Sequence, residues 1–260
     1  TTVWTSLVAP VQPPDTDFIS HYSIYHPGDD VSTSAHLALY RGALLSDADR
    51  LITPMARHYW GGFATPDMAI RTPPLRAAHA DEGARFTEFG GWDMPVQFDS
   101  IRVEHAAVRT AVGKFDVSHM GRIVVAGPDA TTLMQRLTTN DVCELAPGEA
   151  QYAMITDEEG IVLDDTVVSR VSNHAGQQLC SPADRETVVE ADDPTYLFVP
   201  NAGHDAQMLD RWRTHRDSWE LDAAIADATE SSAMLAVQGP DAVDLLSAVA
   251  SDPAALADCS

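Results

Sequence analysis

Two adjacent carboxylates, Asp164 and Asp165, lie in the run from Gly160 to Val168, whose apolar and β-branched residues otherwise predict a buried or half-buried strand. Successive strand side chains point to opposite faces, so the two aspartates cannot face each other as an acid and base pair. A buried strand carboxylate is costly unless something binds it or pairs with it, which makes the inward-facing aspartate a candidate functional residue. The alternative is an edge strand with both carboxylates in solvent, or an aspartate bonded to loop backbone. This stretch by itself favours that alternative.

Other polar and aromatic residues fit either a binding site or a simpler structural role. Asn201 lies between a predicted strand end and a helix start, where its amide caps the helix or offers a donor and an acceptor to a planar ligand. Tyr152 and Met120, taken singly, are typical of core packing. The run over 90–98, Gly-Gly-Trp-Asp-Met-Pro-Val-Gln-Phe, is a tight loop whose glycines permit close backbone approach, or a packed turn with Trp92 as core filler.

Several familiar catalytic motifs are absent from the sequence. It has no G-x-x-x-x-G-K-[ST], no G-x-G-x-x-G after a strand, no G-x-S-x-G and no H-E-x-x-H, so kinase, Rossmann, hydrolase and zincin interpretations lose their main support. Ser118 and His119 are neighbours whose side chains diverge, so a structural or hydrogen-bonding role is expected for His119. Cys143, Cys180 and Cys259 lack C-x-x-C spacing, which predicts neither a disulfide framework nor a metal site.

The elements that would position these residues follow from hydrophobic periodicity and turn residues. The expected order begins with a short helix over 75–84, a strand over 86–89, a helix capped by Asp99 or Ser100, a connection over 115–119, a strand over 122–126 and a helix opened by Gly127-Pro128-Asp129-Ala130. A hairpin with strands over 151–156 and 161–168 follows, then a long polar loop over 172–193, a strand over 196–199 and a helix carrying Leu209 and Trp212. The unit of strand, Gly-Pro-Asp-Ala turn and helix recurs at 235–242.

This mixture of strands and helices, without strict βαβ alternation, predicts an α+β fold. Residues 1 to 67 contain no glutamate and have poor periodicity, and Met68 directly precedes the more regular sequence. We therefore expect a poorly ordered N-terminal extension over 1–70 and one domain over 71–260.

The composition restricts the possible partners. Asp and Glu number 39 against 16 Lys and Arg, and the formal net charge of -23 argues against nucleic acid or a membrane surface as a partner. Lys114 is the only lysine, which favours adaptation to concentrated salt over an ordinary acidic protein. No window approaches the roughly 18 consecutive apolar residues of a membrane-spanning helix, so a soluble cytoplasmic protein is expected.

Four motifs taken together resemble the T-protein family of the glycine cleavage system, whose members are aminomethyltransferases. They are Phe115-Asp116-Val117-Ser118-His119-Met120-Gly121, Leu137-Thr138-Thr139-Asn140-Asp141, Gly160 to Asp165, and Val199-Pro200-Asn201-Ala202-Gly203. The loop over 90–98 agrees with the same family. The resemblance runs from about Arg71 to the C-terminus, and nothing in residues 1 to 67 belongs to it.

The resemblance implies a tetrahydrofolate-binding T-protein fold with ferredoxin-like elements. It implies transfer of a one-carbon unit from the aminomethyl-lipoyl arm of the H-protein to tetrahydrofolate, giving 5,10-methylenetetrahydrofolate and ammonia. By the same resemblance, Asp165 is the catalytic residue, near the folate nitrogens, where it favours attack by N10. The family positions that line the folate match Met120, Tyr152, Val199 and Asn201.

One part of the family pattern is not found in the sequence. T-proteins continue well beyond this length, and a later Gly-Tyr-Thr-Gly-Glu segment supplies a glutamate to the pterin, so a C-terminally truncated member with an incomplete folate-binding domain is expected. Two alternatives stay open. One is a folate-binding protein without transferase activity, as in related iron-sulfur maintenance proteins, whose Lys-Gly-Cys-Tyr-x-Gly-Gln-Glu segment is not found. The other is the folate domain of a larger amine demethylase, although no flavin-binding fingerprint precedes it.

Overall fold

The structure, a computed structural model, describes residues 69–180 and 193–249 together with the backbone of residues 5–10. Its strands are β1 (Thr5–Pro10), β2 (Arg85–Phe89), β3 (Trp92–Gln97), β4 (Gly113–Asp116), β5 (Ile123–Ala126), β6 (Ala150–Thr156), β7 (Val162–Val171), β8 (Thr195–Val199), β9 (Ala224–Asp227) and β10 (Ser232–Gln238). Its helices are α1 (Arg76–Asp81), α2 (Ile101–Thr110), α3 (Ala130–Leu137), α4 (Asn173–Leu179), α5 (Asp205–Ser218) and α6 (Ala242–Val249), with a 3-10 turn over Val142–Glu144.

The strands form three sheets, and the α+β prediction is confirmed. The largest sheet has the order β6-β7-β8-β5-β9, and every neighbouring pair in it is antiparallel. The smaller sheets are β1-β10-β4 and β2-β3. No helix among the described residues is long and apolar enough to cross a membrane.

The main core lies on one face of the five-stranded sheet, under α3 and α5. Alternate strand residues supply the sheet side of this core, as a strand with one buried face requires. Phe198 stacks on Trp212 of α5 with ring centroids 4.3 Å apart, and the Trp212 indole N–H lies 3.2 Å from the Met134 sulfur of α3. Other buried members include Ile123, Val125, Leu133, Leu137, Ile155, Val168, Tyr196 and Met208.

Among the described residues, those that pack on the opposite face of the same sheet lie at one end of it. Leu179 and Cys180, at the end of α4, pack there against Val124, Leu197 and Ala226. Towards β6 and β7, large apolar side chains such as Tyr152, Val162 and Val167 are exposed.

The recurrent strand, turn and helix unit is present in both places, at β5–α3 and β10–α6. Its glycine is required by geometry, because Gly127 and Gly239 have φ of +127° and +131°. A Cβ would lie 2.9 Å from the Asp222 carbonyl oxygen at Gly127 and 2.2 Å from the Ala111 carbonyl oxygen at Gly239. The Gly-Pro-Asp-Ala turn therefore lets the backbone pass close to a neighbouring segment.

Three sequence predictions about elements are wrong. The loop or packed turn predicted over 90–98 is a turn at Gly90 and Gly91 followed by strand β3, which pairs with β2. The predicted loop over 172–193 begins with α4, whose start is capped by Ser172 accepting from the Ala175 N–H at 3.2 Å and whose Leu179 is buried. The predicted connection over 115–119 begins inside β4, which pairs with β10 more than 110 residues later in the chain, a partner that local patterns do not reveal.

The predicted N-terminal extension is described only over residues 5–10. These residues form β1, which pairs antiparallel with β10 on the side away from β4. Residues 11–68 lie outside the described residues, so the division at about residue 70 stays a prediction.

The charge predicts that salt stabilises this fold. With a net charge of -23 and a single lysine, self-repulsion is strong at low ionic strength and is screened over a few ångströms in molar salt. We expect the thermal midpoint to rise by at least about 5 °C from low to molar potassium chloride. Thermal melts across the series test this, with an uncharged osmolyte as the control. A flat or falling midpoint would contradict it.

Candidate functional site

Strand β7 places Asp164 and Asp165 on opposite faces of the five-stranded sheet. Asp164 pairs with Ile155 of β6 and shares the core face with Val168, and it is buried. Asp165 pairs with Met154 and lies on the opposite face, together with Val167. The alternation inferred from the sequence is therefore present, and both carboxylates have polar partners.

Asp165 belongs to a part of the sheet that the described residues leave uncovered. We call it the open face and define it by Tyr152, Asp165, Val167 and Val199. The register places Tyr152 opposite Val167 and Val167 opposite Val199, so the three side chains form a row across β6, β7 and β8. Tyr152 is 52% exposed and Val167 is 41% exposed. Exposed apolar side chains in a row beside a carboxylate are typical of a ligand surface.

The Asp165 carboxylate is held by two donors. The Tyr152 hydroxyl donates to its Oδ2 at 2.6 Å, and the Asn201 side-chain amide donates to its Oδ1 at 2.8 Å. The bond to Asp165 raises the pKa of Tyr152 to about 12, so the phenol stays protonated and remains a donor. A carboxylate has about four acceptor positions, so Asp165 can still accept a bond from a ligand N–H.

The Asp164 carboxylate is more deeply buried and has more partners. It accepts from the Asn201 backbone N–H at 3.1 Å and from the Asn201 amide at 2.7 Å, and His204 Nδ1 lies 3.2 Å from its Oδ1. Burial opposes ionisation, but the contact with His204 and the hydrogen bonds from Asn201 outweigh it and hold the pKa of Asp164 below its usual value. The contact with Asp164 raises the pKa of His204 against the effect of its own burial.

Asn201 joins the two aspartates and does not cap the following helix with its side chain. Its amide nitrogen is within bonding distance of Asp164 Oδ1, Asp165 Oδ1 and the Asp165 carbonyl oxygen. An amide has two N–H donors, so these contacts use its donor capacity and leave its oxygen as the atom with acceptor capacity for a ligand.

The loop containing Met120 lies against the segment that leads to Asn201. The Gly121 N–H donates to the Pro200 carbonyl at 2.9 Å, and a Cβ at Gly121 would lie 2.6 Å from the Pro200 ring. Of the predicted site residues, Tyr152, Asp165 and Asn201 are therefore joined by hydrogen bonds. Val199 lies in the same row, and Met120 approaches through the backbone of its loop.

Ser118 and His119 do not form a nucleophile and base pair. The Ser118 hydroxyl accepts from the Met234 N–H at 3.0 Å, which ties its loop to β10. The His119 ring packs edge-on against Phe89 with centroids 5.1 Å apart, and burial lowers its pKa to about 4. His119 is thus neutral near pH 7, and these contacts describe a packing role.

Sequence reasoning missed three residues around this site. Val167 is one of four valines of β7, and only the pairing register shows that it lies between Tyr152 and Val199. His204 precedes α5 without any recognised motif. Arg122 is fully buried, and its guanidinium donates to the carbonyls of Ser118, Met120, Thr229 and Ser232. A single arginine at the start of a predicted strand gives no signal of such a role.

Comparison with known proteins gives the class of this domain. Residues 75–183 match the family model described as the GCVT N-terminal domain. The crystal structure of glycine cleavage system aminomethyltransferase T from Bartonella henselae is similar, with a TM-score of 0.57 and 25% identity over 69% of this chain and 44% of that chain. The described fold is therefore that of a glycine cleavage T-protein, as the sequence motifs predicted.

Curated relatives give the same assignment at higher identity. The probable aminomethyltransferase of Natronomonas pharaonis is 57% identical over 182 residues, which are 70% of this chain and 46% of that protein. The probable aminomethyltransferase of Haloarcula marismortui is 58% identical over 181 residues, 70% of this chain and 45% of that protein. Over about 70% of its length the chain is similar to aminomethyltransferases, and residues 75–183 match the GCVT N-terminal domain. It spans about half the length of the curated relatives it matches.

Proposed function

We propose that the open face binds tetrahydrofolate and that the chain acts as an aminomethyltransferase of the glycine cleavage system. The observation that carries this proposal is the position of Asp165, on the open face and bonded to Tyr152 and Asn201. These are three of the five residues that the family resemblance assigns to catalysis and folate binding.

The open face fits the chemistry of a reduced folate. A pterin or aminobenzoyl ring is flat and apolar on its faces and carries N–H groups at its edge. Val167 and Val199 offer a flat apolar floor, and the half-exposed Tyr152 ring offers an aromatic wall. Asp165 offers a carboxylate to the N–H groups and the Asn201 side-chain oxygen offers a second acceptor.

In the proposed reaction the aminomethyl group leaves the lipoyl sulfur of the H-protein. Its carbon–nitrogen and carbon–sulfur bonds break, and the carbon forms bonds to two folate nitrogens, giving 5,10-methylenetetrahydrofolate. The two folate N–H protons account for the ammonia and the dihydrolipoyl thiol that are released. Asp165 orients the attacking nitrogen and stabilises the positive charge that develops on it.

A charge placed in the middle of the open face tests the binding site. We expect isothermal titration of the chain with tetrahydrofolate to give saturable binding, which Val167→Glu weakens by about tenfold or more because its carboxylate adds negative charge beside Asp165. Val103→Glu is a matched control, since Val103 is 40% exposed on α2 and Val167 is 41% exposed. Equal affinities for the two variants would contradict the assignment of the open face.

A folate-binding protein without transferase activity is the second candidate, because the open face offers the same binding surface whether or not transfer follows. Adding aminomethylated H-protein distinguishes the two. Transferase activity releases ammonia and forms 5,10-methylenetetrahydrofolate, whereas the second candidate binds tetrahydrofolate with neither product.

A further inference from the structure

His204 lies next to the proposed site but belongs to none of the motifs that predicted it. It sits between the end of β8 and the start of α5, and its Nδ1 is 3.2 Å from Asp164 Oδ1. The His204 side chain is 26% exposed, whereas that of Asp164 is 3% exposed. His204, which is partly accessible to solvent, can therefore act as a cationic partner for the buried Asp164 carboxylate.

The groups around His204 favour its charged form. Asp164 and Asp165 act on it from β7, and Asp205 acts on it from the first residue of α5. The charge of Asp205 is shared with Arg71, whose guanidinium lies 2.6 Å from it. A cation at a helix N-terminus is disfavoured by the helix dipole, so the carboxylates must supply the compensation. The bond to Asp164 makes the largest contribution to raising the pKa of His204.

Asn201 contacts both carboxylates and so connects this pair with Asp165. Its amide nitrogen lies 2.7 Å from Asp164 Oδ1 and 2.8 Å from Asp165 Oδ1. When His204 is neutral, Asp164 is a buried anion without a cationic partner, and it then competes more strongly with Asp165 for the two amide donors.

We propose that His204 is a positioning residue whose imidazolium neutralises Asp164, so that Asn201 holds the Asp165 carboxylate in the orientation that receives tetrahydrofolate. The ligand in this statement rests on the proposed function. The coupling between His204, Asp164 and Asn201 does not rest on it.

The pKa shifts of His204 and Asp164 determine how the stability of their contact depends on pH. The pKa of His204 is raised, so its contribution is complete below about pH 6.5 and is lost as pH rises through the higher folded value. The pKa of Asp164 is lowered, so its contribution is present above about pH 3.9 and is lost as pH falls through the lower folded value. The arrangement is complete between these limits and weakens on the alkaline side as His204 loses its proton.

An NMR titration of the full chain tests the coupling without any ligand. We expect the ring protons of His204 and the side-chain amide protons of Asn201 to titrate together, with a midpoint above about 6.5. In Asp164→Asn the His204 midpoint should fall, and in His204→Gln the Asn201 titration should disappear. Asn201 signals that do not follow His204 in the wild type, or that titrate unchanged in His204→Gln, would overturn the proposal.

Tetrahydrofolate affinity at about pH 6 and about pH 8.5 tests the positioning role. The wild-type affinity should fall about tenfold between these values, as expected for loss of a hydrogen bond to a charged group. His204→Gln should be weak at both, and His204→Lys, which keeps a cation across this range, should bind with little pH dependence. His215→Gln is the matched control, because His215 lies at the far end of α5 and contacts Trp219.

The outcomes of these measurements separate the two proposals. A His204→Gln variant with the affinity and pH profile of the wild type would overturn the positioning role. A wild type that binds no tetrahydrofolate at any pH would overturn the proposed function, and the Asn201 titration would still decide the coupling.

Discussion

Replacing Asp165 by asparagine is expected to lower the rate of aminomethyl transfer by about 100- to 1,000-fold, the effect of removing one preorganised group that stabilises transition-state charge. Asparagine keeps the shape and accepts a bond at its oxygen, but it carries no charge to set against the developing cation on the folate nitrogen. The rate is measured as 5,10-methylenetetrahydrofolate formed from aminomethylated H-protein. The measurement uses a chimera in which this domain replaces the 182 matching residues of the Natronomonas relative.

Asp164→Asn is the matched control, since it removes a neighbouring carboxylate from the other face of the same strand. Its main effect should be on stability, because Asp164 is buried and bonded to Asn201 and His204. Full activity in Asp165→Asn with none in a folded Asp164→Asn would reverse the assignment of the two faces. If neither change affects the rate, both carboxylates are structural and the transferase interpretation of this strand fails.

Arg122→Met is expected to reduce the free energy of unfolding by about 4 kcal/mol, which is exceptional for one substitution. The guanidinium of Arg122 is fully buried and donates to carbonyl groups of the loop over 118–120, of Thr229 and of Ser232 at the start of β10. Without it these carbonyls are left unbonded in the interior, each at a cost of about 1–3 kcal/mol before relaxation. Burial lowers the pKa of Arg122 to about 10, so it remains a cation near neutral pH.

Urea unfolding in molar salt measures this loss. Arg102→Met is the matched control, because Arg102 is exposed on α2 and surface substitutions usually change stability by less than about 0.5 kcal/mol. The urea dependence of the free energy should stay unchanged, since the same surface is exposed on unfolding. Equal unfolding midpoints for the two variants would show that Arg122 does not hold the Met120 loop.

The sequence predicted those features of the site that depend on local patterns, namely strand alternation, hairpins and turn residues. Strand alternation separated Asp164 from Asp165, and hairpin signals placed Tyr152 on the neighbouring strand. The Gly-Pro-Asp-Ala turns marked both copies of the repeated unit because their glycines must have positive φ. The family motifs then selected Asp165, Tyr152 and Asn201, which the structure joins by hydrogen bonds.

The part that the sequence did not reveal depends on contacts between distant segments. Arg122 bonds to residues 107 and 110 positions later in the chain, and His204 meets a strand residue 40 positions earlier. β4 forms by pairing with β10, a strand distant in the sequence. The position of Val167 in the site depends on its pairing with both Tyr152 of β6 and Val199 of β8. The local sequence around a polar side chain near a turn does not predict which distant buried group it will hydrogen-bond.

A crystal structure of the chain grown with tetrahydrofolate tests the central claim most directly. We expect a folate ring in van der Waals contact with Tyr152, Val167 and Val199, and a folate nitrogen within about 3 Å of the Asp165 carboxylate. A folate bound away from the open face, or one whose nitrogens contact Asp164 and leave Asp165 untouched, would contradict it.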